Sequence, residues 1–355
     1  MFTGRKVISL VLAIYLISLG TAPGLASERN RELKVMTYNM YHGADFFEIF
    51  TAPSPDVLVS EVAEAYSDMQ AGNVPERIDA IADQIEVGGP VLVGLQEVAL
   101  WQVGPPFDPA PAETVTYDFL QMLLHELEGR GLHYAPISVQ TNLDAELPGV
   151  FSATEALDIR FTDRVVILAR TDLERSQFKL EGTQAHSFTY NLEVTVLGMP
   201  ITIYRGWASA DVKFRGKTYR FVNAHLESFA PPIQYLQAQE LLSVPTNTDL
   251  PVILVGDFNS DAEVNETTYQ ILTGGGFSDV WDVLHPTDPG FTWPLSDEIP
   301  SVLLDPTQRL DLILTRGGIR ASHADIVGEE VADKTTSGLR PSDQAGVVAR
   351  LVVEP

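Results

Sequence analysis

Apolar residues recur along this chain in two rhythms. Short runs such as Val91–Leu95 and Val252–Val255 are apolar nearly throughout, as in strands buried on both faces. Between Ser54 and Ile85 the spacing changes to threes and fours. Leu58, Val62, Ala65, Tyr66 and Met69 share one helical face after Ser54-Pro55 and before Gly72, and Ile78, Ile81, Ala82 and Ile85 share another after Pro75. Strands are also expected over Leu33–Tyr38, Arg164–Ala169 (with Asp163 at its start), Thr189–Leu197, Ile201–Val212, Lys217–Ala224 and Val347–Val353. Arg215-Gly216 reads as the turn joining Ile201–Val212 to Lys217–Ala224. Helical patterns cover Tyr117–Leu127, Gln234–Leu242 and Thr267–Leu272, and three glycines close the last. Phe291-Thr292-Trp293 and Arg309–Leu314 read as hairpin partners or neighbouring strands. Tyr41–Thr51, the Pro-rich Gly104–Pro111 and the aperiodic Gln140–Ile159 read as loop. Strands and helices interleave without a fixed repeat or a Gly/Ser/Pro linker. Residues 27–355 are therefore expected to form one domain of two packed sheets flanked by helices.

The first residues follow a different plan. Arg5 and Lys6 precede the apolar run Val7–Leu19, and Gly24-Leu25-Ala26 supplies small residues before Ser27. The run is shorter than the roughly 20 residues of a membrane span, so residues 1–26 are expected to be a cleaved signal peptide and the mature chain to be secreted or periplasmic. The formal charge is −25, and losing the signal peptide makes it more negative. That argues against a basic surface for nucleic acid, so no stable nucleic-acid complex is expected, although bound cations can reverse such a field locally. There is no cysteine, which excludes disulfides, thiol nucleophiles and thiolate metal sites. A metal here must be held by oxygen or imidazole.

Candidate chemistry centres on V-I-L-V-G-D-F-N-S-D, Val252–Asp261. Asp257 and Asn259 alternate around Phe258 at a strand end. Asp257 can take a proton from water or hold a metal while Asn259 donates hydrogen bonds to an oxyanion, and the same stretch also reads as a strand running into an Asp/Asn turn. Asn39, Glu97, His225 and Asp311 likewise sit at strand ends or beginnings, and Asp343 in the loop before the last strand. Taken singly, Glu97 also reads as a helix cap, His225 as a core imidazole and Asp311 as a partner of Arg309. Taken together, polar groups at sheet ends can converge on one crevice.

The motifs M-T-Y-N (Met36–Asn39), Q-E (Gln96-Glu97), N-A-H-L (Asn223–Leu226), G-D-F-N (Gly256–Asn259), R-L-D-L-I (Arg309–Ile313) and S-D (Ser342-Asp343) resemble, in order, those of the endonuclease/exonuclease/phosphatase superfamily with its DNase I-like fold. The resemblance runs from about Leu33 to Val353. It implies a four-layered α/β sandwich, two mixed sheets face to face with helices outside, and divalent-metal-dependent hydrolysis of phosphate esters. It implies that Glu97, Asn39 and Asp343 lie at the metal, that Asn39 and Arg205 reach the substrate, and that Asp257 orients or deprotonates the attacking water. Asn259 and His225 would stabilise phosphate oxygens, with Asp163 orienting that histidine. The donor set, oxygen-rich and free of cysteine, independently favours Mg²⁺ or Mn²⁺ over zinc.

One position departs from the resemblance. The last motif normally reads S-D-H, its histidine paired to the R-L-D-L-I aspartate, and here the third residue is Gln344. Glutamine donates a hydrogen bond but moves no proton at neutral pH, and a missing acid/base group typically costs about 10²- to 10⁴-fold in rate. His285 and His323 are conceivable substitutes that also read as exposed loop histidines. The expectation is an exported phosphate-ester hydrolase, first of all a phosphodiesterase and monomeric, touching a membrane surface if its substrate is a lipid. The alternative is a phosphate-ligand binder impaired by Gln344. Trp101, Trp207 and Phe214 are candidates for a lipid-facing hairpin but read more readily as core or pocket wall. Gly43–Val74 and Trp101–Arg160 are expected to carry substrate selection.

Overall fold

The unbroken apolar runs are strands whose alternate residues enter different layers. Val252 and Leu254 turn to one core, Ile253 and Val255 to another; Leu92 and Val93 divide in the same way. The computed structural model describes residues 32–295 and 306–353, so the expected signal peptide lies outside the described residues. The strands in the first half are β1 (Glu32–Asn39), β2 (Leu92–Gln96), β3 (Leu100–Gly104), β4 (Thr114–Asp118), β5 (Tyr134–Ser152), β6 (Glu155–Arg170) and β7 (Phe178–Ser187). There follow β8 (Leu192–Val196), β9 (Met199–Ile203), β10 (Gly206–Phe214), β11 (Lys217–His225), β12 (Val252–Asp257), β13 (Ser278–Asp279), β14 (Asp311–Arg316), β15 (Ile319–Val327) and β16 (Gly346–Val353). One sheet has the order β15-β16-β1-β2-β6-β3-β4, with β5 also on β6; the second has β13-β14-β12-β11-β10-β7, and β8–β9 is a separate hairpin.

The two large sheets meet through Val35, Val165 and Ile167 on one side and Phe221, Ile253 and Val255 on the other. Helices α1 (Phe47–Thr51), α2 (Pro55–Ala71), α3 (Val74–Gly88) and α4 (Phe119–Gly129) cover the first sheet, α2 to α4 through Met69, Ile81 and Leu123. Helices α5 (Pro231–Ser243) and α6 (Thr267–Gly274) cover the second through Leu241 and Leu272, and α7 (Val280–Leu284) follows β13. This is the four-layered sandwich the sequence implied. The expected faces of α2 and α3 are the buried ones, and Ser54 caps α2 by accepting from the Val57 N–H at 3.3 Å. Among the described residues no helix is long and apolar enough to cross a membrane.

The sheets approach most closely at Gly94, where a Cβ would lie 2.6 Å from Val255 Cγ2 and 2.8 Å from Asn223 Cγ. Asn223 ties the layers: its Nδ2 donates to Leu95 O and Val166 O, both at 2.9 Å, and its Oδ1 accepts from Gln96 Nε2 at 2.6 Å. These groups lie just behind the strand ends that carry the site.

Several expectations fail at the edges. Gln140–Ile159 is no loop but most of β5, its turn and the start of β6; register shifts after Thr141 and Val150 break the alternation that would have marked it. Asp163 consequently lies inside β6, not at a strand start. Ile201–Val212 is interrupted at Tyr204-Arg205, where the chain leaves β9 and joins the second sheet as β10. The edge strands β7 and β15 are largely exposed and gave no hydrophobic signal. Tyr41–Thr51 holds the short α1, and Tyr117-Asp118 end β4 before α4 begins. Phe291–Trp293 contributes one bridge, Trp293 to Gln308. Arg309 pairs with Asp279, Glu263 and Asp282, not with Asp311. Trp101, Trp207 and Phe214 are buried, so none is a lipid-facing hairpin residue.

Candidate active site

Parallel pairing fixes where the polar residues emerge. β1 and β2 run parallel with Asn39 opposite Gln96, and β11 and β12 run parallel with His225 opposite Asp257. Each pair therefore delivers its terminal side chains at the same end of its sheet. Asp311 lies opposite Asp257 on the antiparallel β14. Gly256 permits this geometry: at φ +151° its Cβ would fall 2.0 Å from Ala224 O. Tyr41, Glu97 and Asn259, each just past a strand end, adopt left-handed φ of 55°, 53° and 48°. Non-glycine residues hold such angles only where surroundings over-determine them.

The two sheets meet chemically at Asn39. Its Nδ2 donates to Glu97 Oε1 at 3.1 Å and to Asp257 Oδ2 at 3.0 Å, while its Oδ1 accepts from the Tyr41 N–H. His225 Nε2 stands 4.0 Å from Glu97 Oε1 and 3.6 Å from Asp257 Oδ2. Ligand atoms of Glu97, His225 and Asp257 all lie within 4.8 Å of one another, a group that could hold a cation. Two carboxylates and an imidazole suit a hard or borderline divalent ion. The sequence had grouped Glu97 with Asn39 and Asp343 instead; Asn39 turns its nitrogen to both carboxylates, and Asp343 lines the same cleft.

Burial and neighbours separate the ionisation of these groups. Burial works against the Glu97 charge, but His42 and the N–H donors of His42 and Asn39 outweigh it and hold the carboxyl at about 2. Burial raises Asp257 to about 6, although Gln344, the Asn259 N–H and Asn39 all stabilise its anion. Burial and the Glu97 charge raise Asp343 to about 8. Asp311 is pushed well above the ordinary range by burial and by Asp257, with the Thr292 hydroxyl acting against them. Burial and the Arg205 cation lower His225 well below its usual value, so the imidazole is neutral at neutral pH. A neutral imidazole is the form that ligates metals.

The other expected residues fall in place unevenly. Gln344 Nε2 donates to Asp257 Oδ2 at 2.9 Å, so its partner is Asp257. Asn259 fixes Asp257 Oδ1 through its backbone N–H at 2.9 Å, while its side-chain nitrogen donates to Leu226 O. Arg205 Nη1 lies 3.1 and 3.4 Å from the two ring nitrogens of His225. Asp163 accepts from Asn142 at 2.9 Å and lines the same cleft, while the group within hydrogen-bond distance of the His225 ring is Arg205. His285 Nε2 donates to Ala324 O at 3.1 Å, and His323 is exposed on β15; neither borders the cleft.

Two site residues escaped the sequence reading. His42 gives its backbone N–H to Glu97 Oε2 at 2.9 Å and sets its Nε2 3.3 Å from the same oxygen. Its position three residues past Asn39, beside Gly43, was the available signal. Arg77, buried on α3, donates to Tyr41 O at 3.1 Å, and its charge lowers Asp343 against the effect of burial. These groups form the floor of a cleft of about 640 Å³ whose walls include Phe46, Phe50, Phe161, Tyr204 and Phe229.

Fold and site together are those of a hydrolase of phosphate esters. The model of the Endonuclease/Exonuclease/phosphatase family matches residues 36–343, and the chain belongs to that family. Enzymes of this family generally use divalent metals. Similar solved structures include an endonuclease/exonuclease/phosphatase family protein from Bacteroides thetaiotaomicron, 17% identical with a TM-score of 0.56 over 91% of this chain and 95% of that one. A mannosyl-6-phosphatase from the same organism is 17% identical, TM-score 0.56, over 90% of this chain and 99% of that one. TDP2 from D. rerio, complexed with a single-strand DNA product, is 17% identical, TM-score 0.53, over 90% and 98%. At such identities the likeness concerns the fold alone. No curated protein sequence matches the chain.

Proposed function

We propose that the protein is an exported phosphodiesterase dependent on Mg²⁺ or Mn²⁺. The observation that carries this reading is the convergence of Glu97 and Asn39 from one sheet with His225 and Asp257 from the other within 4.0 Å. Glu97, with His225 and Asp257 as nearest partners, would hold the cation, which when bound neutralises phosphate charge and polarises the ester. Asp257 is aimed by three donors, which suits its carboxylate to orient the attacking water or take a proton from it. Arg205 stands beside His225, where the guanidinium can meet a phosphoryl oxygen. The N-terminal pattern of Arg5, Lys6 and Val7–Leu19 supports export.

One observation favours a second reading, a phosphate-ligand binder with impaired turnover. Gln344 spends its amide on Asp257, and among the described residues no histidine hydrogen-bonds the Asp311 carboxyl, so the pair that would protonate the leaving oxygen is missing. One experiment separates the two: hydrolysis of bis(p-nitrophenyl) phosphate with Mg²⁺ or Mn²⁺ by the wild type, Asp257→Ala and Gln344→His. A hydrolase turns over well above the Asp257→Ala control. An impaired binder matches that control and gains activity on Gln344→His. No turnover in any of the three defeats the hydrolase reading.

A further inference from the structure

The polar floor of the cleft adjoins an apolar annex. Phe46, Phe50, Leu143 and Phe161 border the cleft and also enclose a second hollow of about 60 Å³. Val62 and Ala65 of α2 and Ala145 of β5 complete much of its wall, and every lining residue is apolar. The single side-chain donor there, Trp101 Nε1, is already given to His42 O at 3.0 Å. A water needs two to four polar partners, and this lining offers none.

The annex lies one imidazole away from the carboxylate floor. The His42 ring sits 4.7 Å from Phe46 and 5.5 Å from Phe161, centroid to centroid, while its Nε2 is 3.3 Å from Glu97 Oε2. Phe46, Phe50, Leu143 and Phe161 are common to both linings, so the annex is the apolar space beside a phosphorus atom held at Glu97 and Asp257. Hydroxyl-rich sugar or base groups would lose hydration there without compensation. An aromatic ring is too large, since an apolar cavity that accepts benzene measures ~150 Å³.

Resting on the hydrolase reading, we propose that this annex is a subsite for the end of a short alkyl group, and that the substrate is an amphiphilic, alkyl-bearing phosphate ester. Burying each methylene strengthens binding about fourfold until the space is filled. Methyl- to octylphosphonate, which are not hydrolysed, supply the test by titration calorimetry on the full chain with Mg²⁺. Affinity should rise about fourfold per carbon over the first few carbons and then level off. Ala145→Phe and, independently, Val62→Phe should abolish the rise while keeping methylphosphonate binding; Leu143→Ala should move the plateau to longer chains. A flat series, a series in which no member binds, or the same rise in correctly folded filled variants overturns the proposal. Chain-length dependence without hydrolysis of any ester leaves the annex standing and removes the hydrolase reading; aryl diester hydrolysis with a flat series does the reverse.

Discussion

The floor and the wall of the cleft are built in opposite ways. On the floor, Asn39, His225 and Asp257 are buried and Glu97 is half-buried; they lie at or just past ends of central strands and are tied by hydrogen bonds, two of which cross between the sheets. The wall is made of Phe46, Phe50, Leu143 and Phe161, which meet their surroundings through packing alone and come from α1, its approach and the β5–β6 pair. The floor is set by strand register and buried polar bonds, the wall by apolar packing. On the proposed function, reaction type would belong to the first region and choice of ester to the second.

The largest difference should appear in stability. Asn223→Ala removes the hydrogen bonds to Gln96 Nε2, Leu95 O and Val166 O between the sheets, and should cost about 2–4 kcal/mol in urea unfolding. Phe229→Ala, at a wall residue 54% exposed, should stay within about 0.5 kcal/mol. Equal costs would erase the distinction.

A smaller effect concerns pH. Asp257 at about 6, Asp343 at about 8 and Asp311 well above its ordinary value all lie above the 3.8 of a free aspartate, so the metal-free folded state binds more protons than the unfolded one across this range. Their contribution is complete below the unfolded value and is lost as pH rises through the folded ones. Glu97, lowered from 4.5 to about 2, acts in the opposite sense only in acid. With His225, lowered well below its usual 6.5, opposing these aspartates up to about neutral pH, the Tm of metal-free protein should fall most clearly from about pH 7 to about pH 8.5, and Mg²⁺ should raise it most at the alkaline end. Filling the annex with Ala145→Phe should leave that slope unchanged. A Tm that climbs over that range would contradict the assignment of these buried acids.

The same contrast explains what the sequence disclosed. Central strands such as Val91–Leu95 and Val252–Val255 are apolar on both faces, and Asp257, His225, Asn39 and Glu97 follow at or just past the ends of central strands, so the floor could be read from pattern and motif. Edge elements carried no such signal. β7 is exposed along most of its length, and β5 shifts register three times, which hid the wall inside an apparent loop. Asp163 was misplaced for that reason. His42 and Arg77 were missed because one follows a strand end by three residues and the other lies beside the apolar stripe of α3; their meaning depends on Glu97 and Asp343, distant in the chain.

The central claim is that one cation is shared by carboxylates from both sheets. A double-mutant cycle on Mn²⁺ affinity, by calorimetry of the wild type, Glu97→Gln, Asp257→Asn and the double variant, tests it most directly. The account predicts one site, a loss of at least about tenfold in each single variant, and a double variant little worse than the weaker single. Undiminished binding in Glu97→Gln, or losses that simply add, would contradict it.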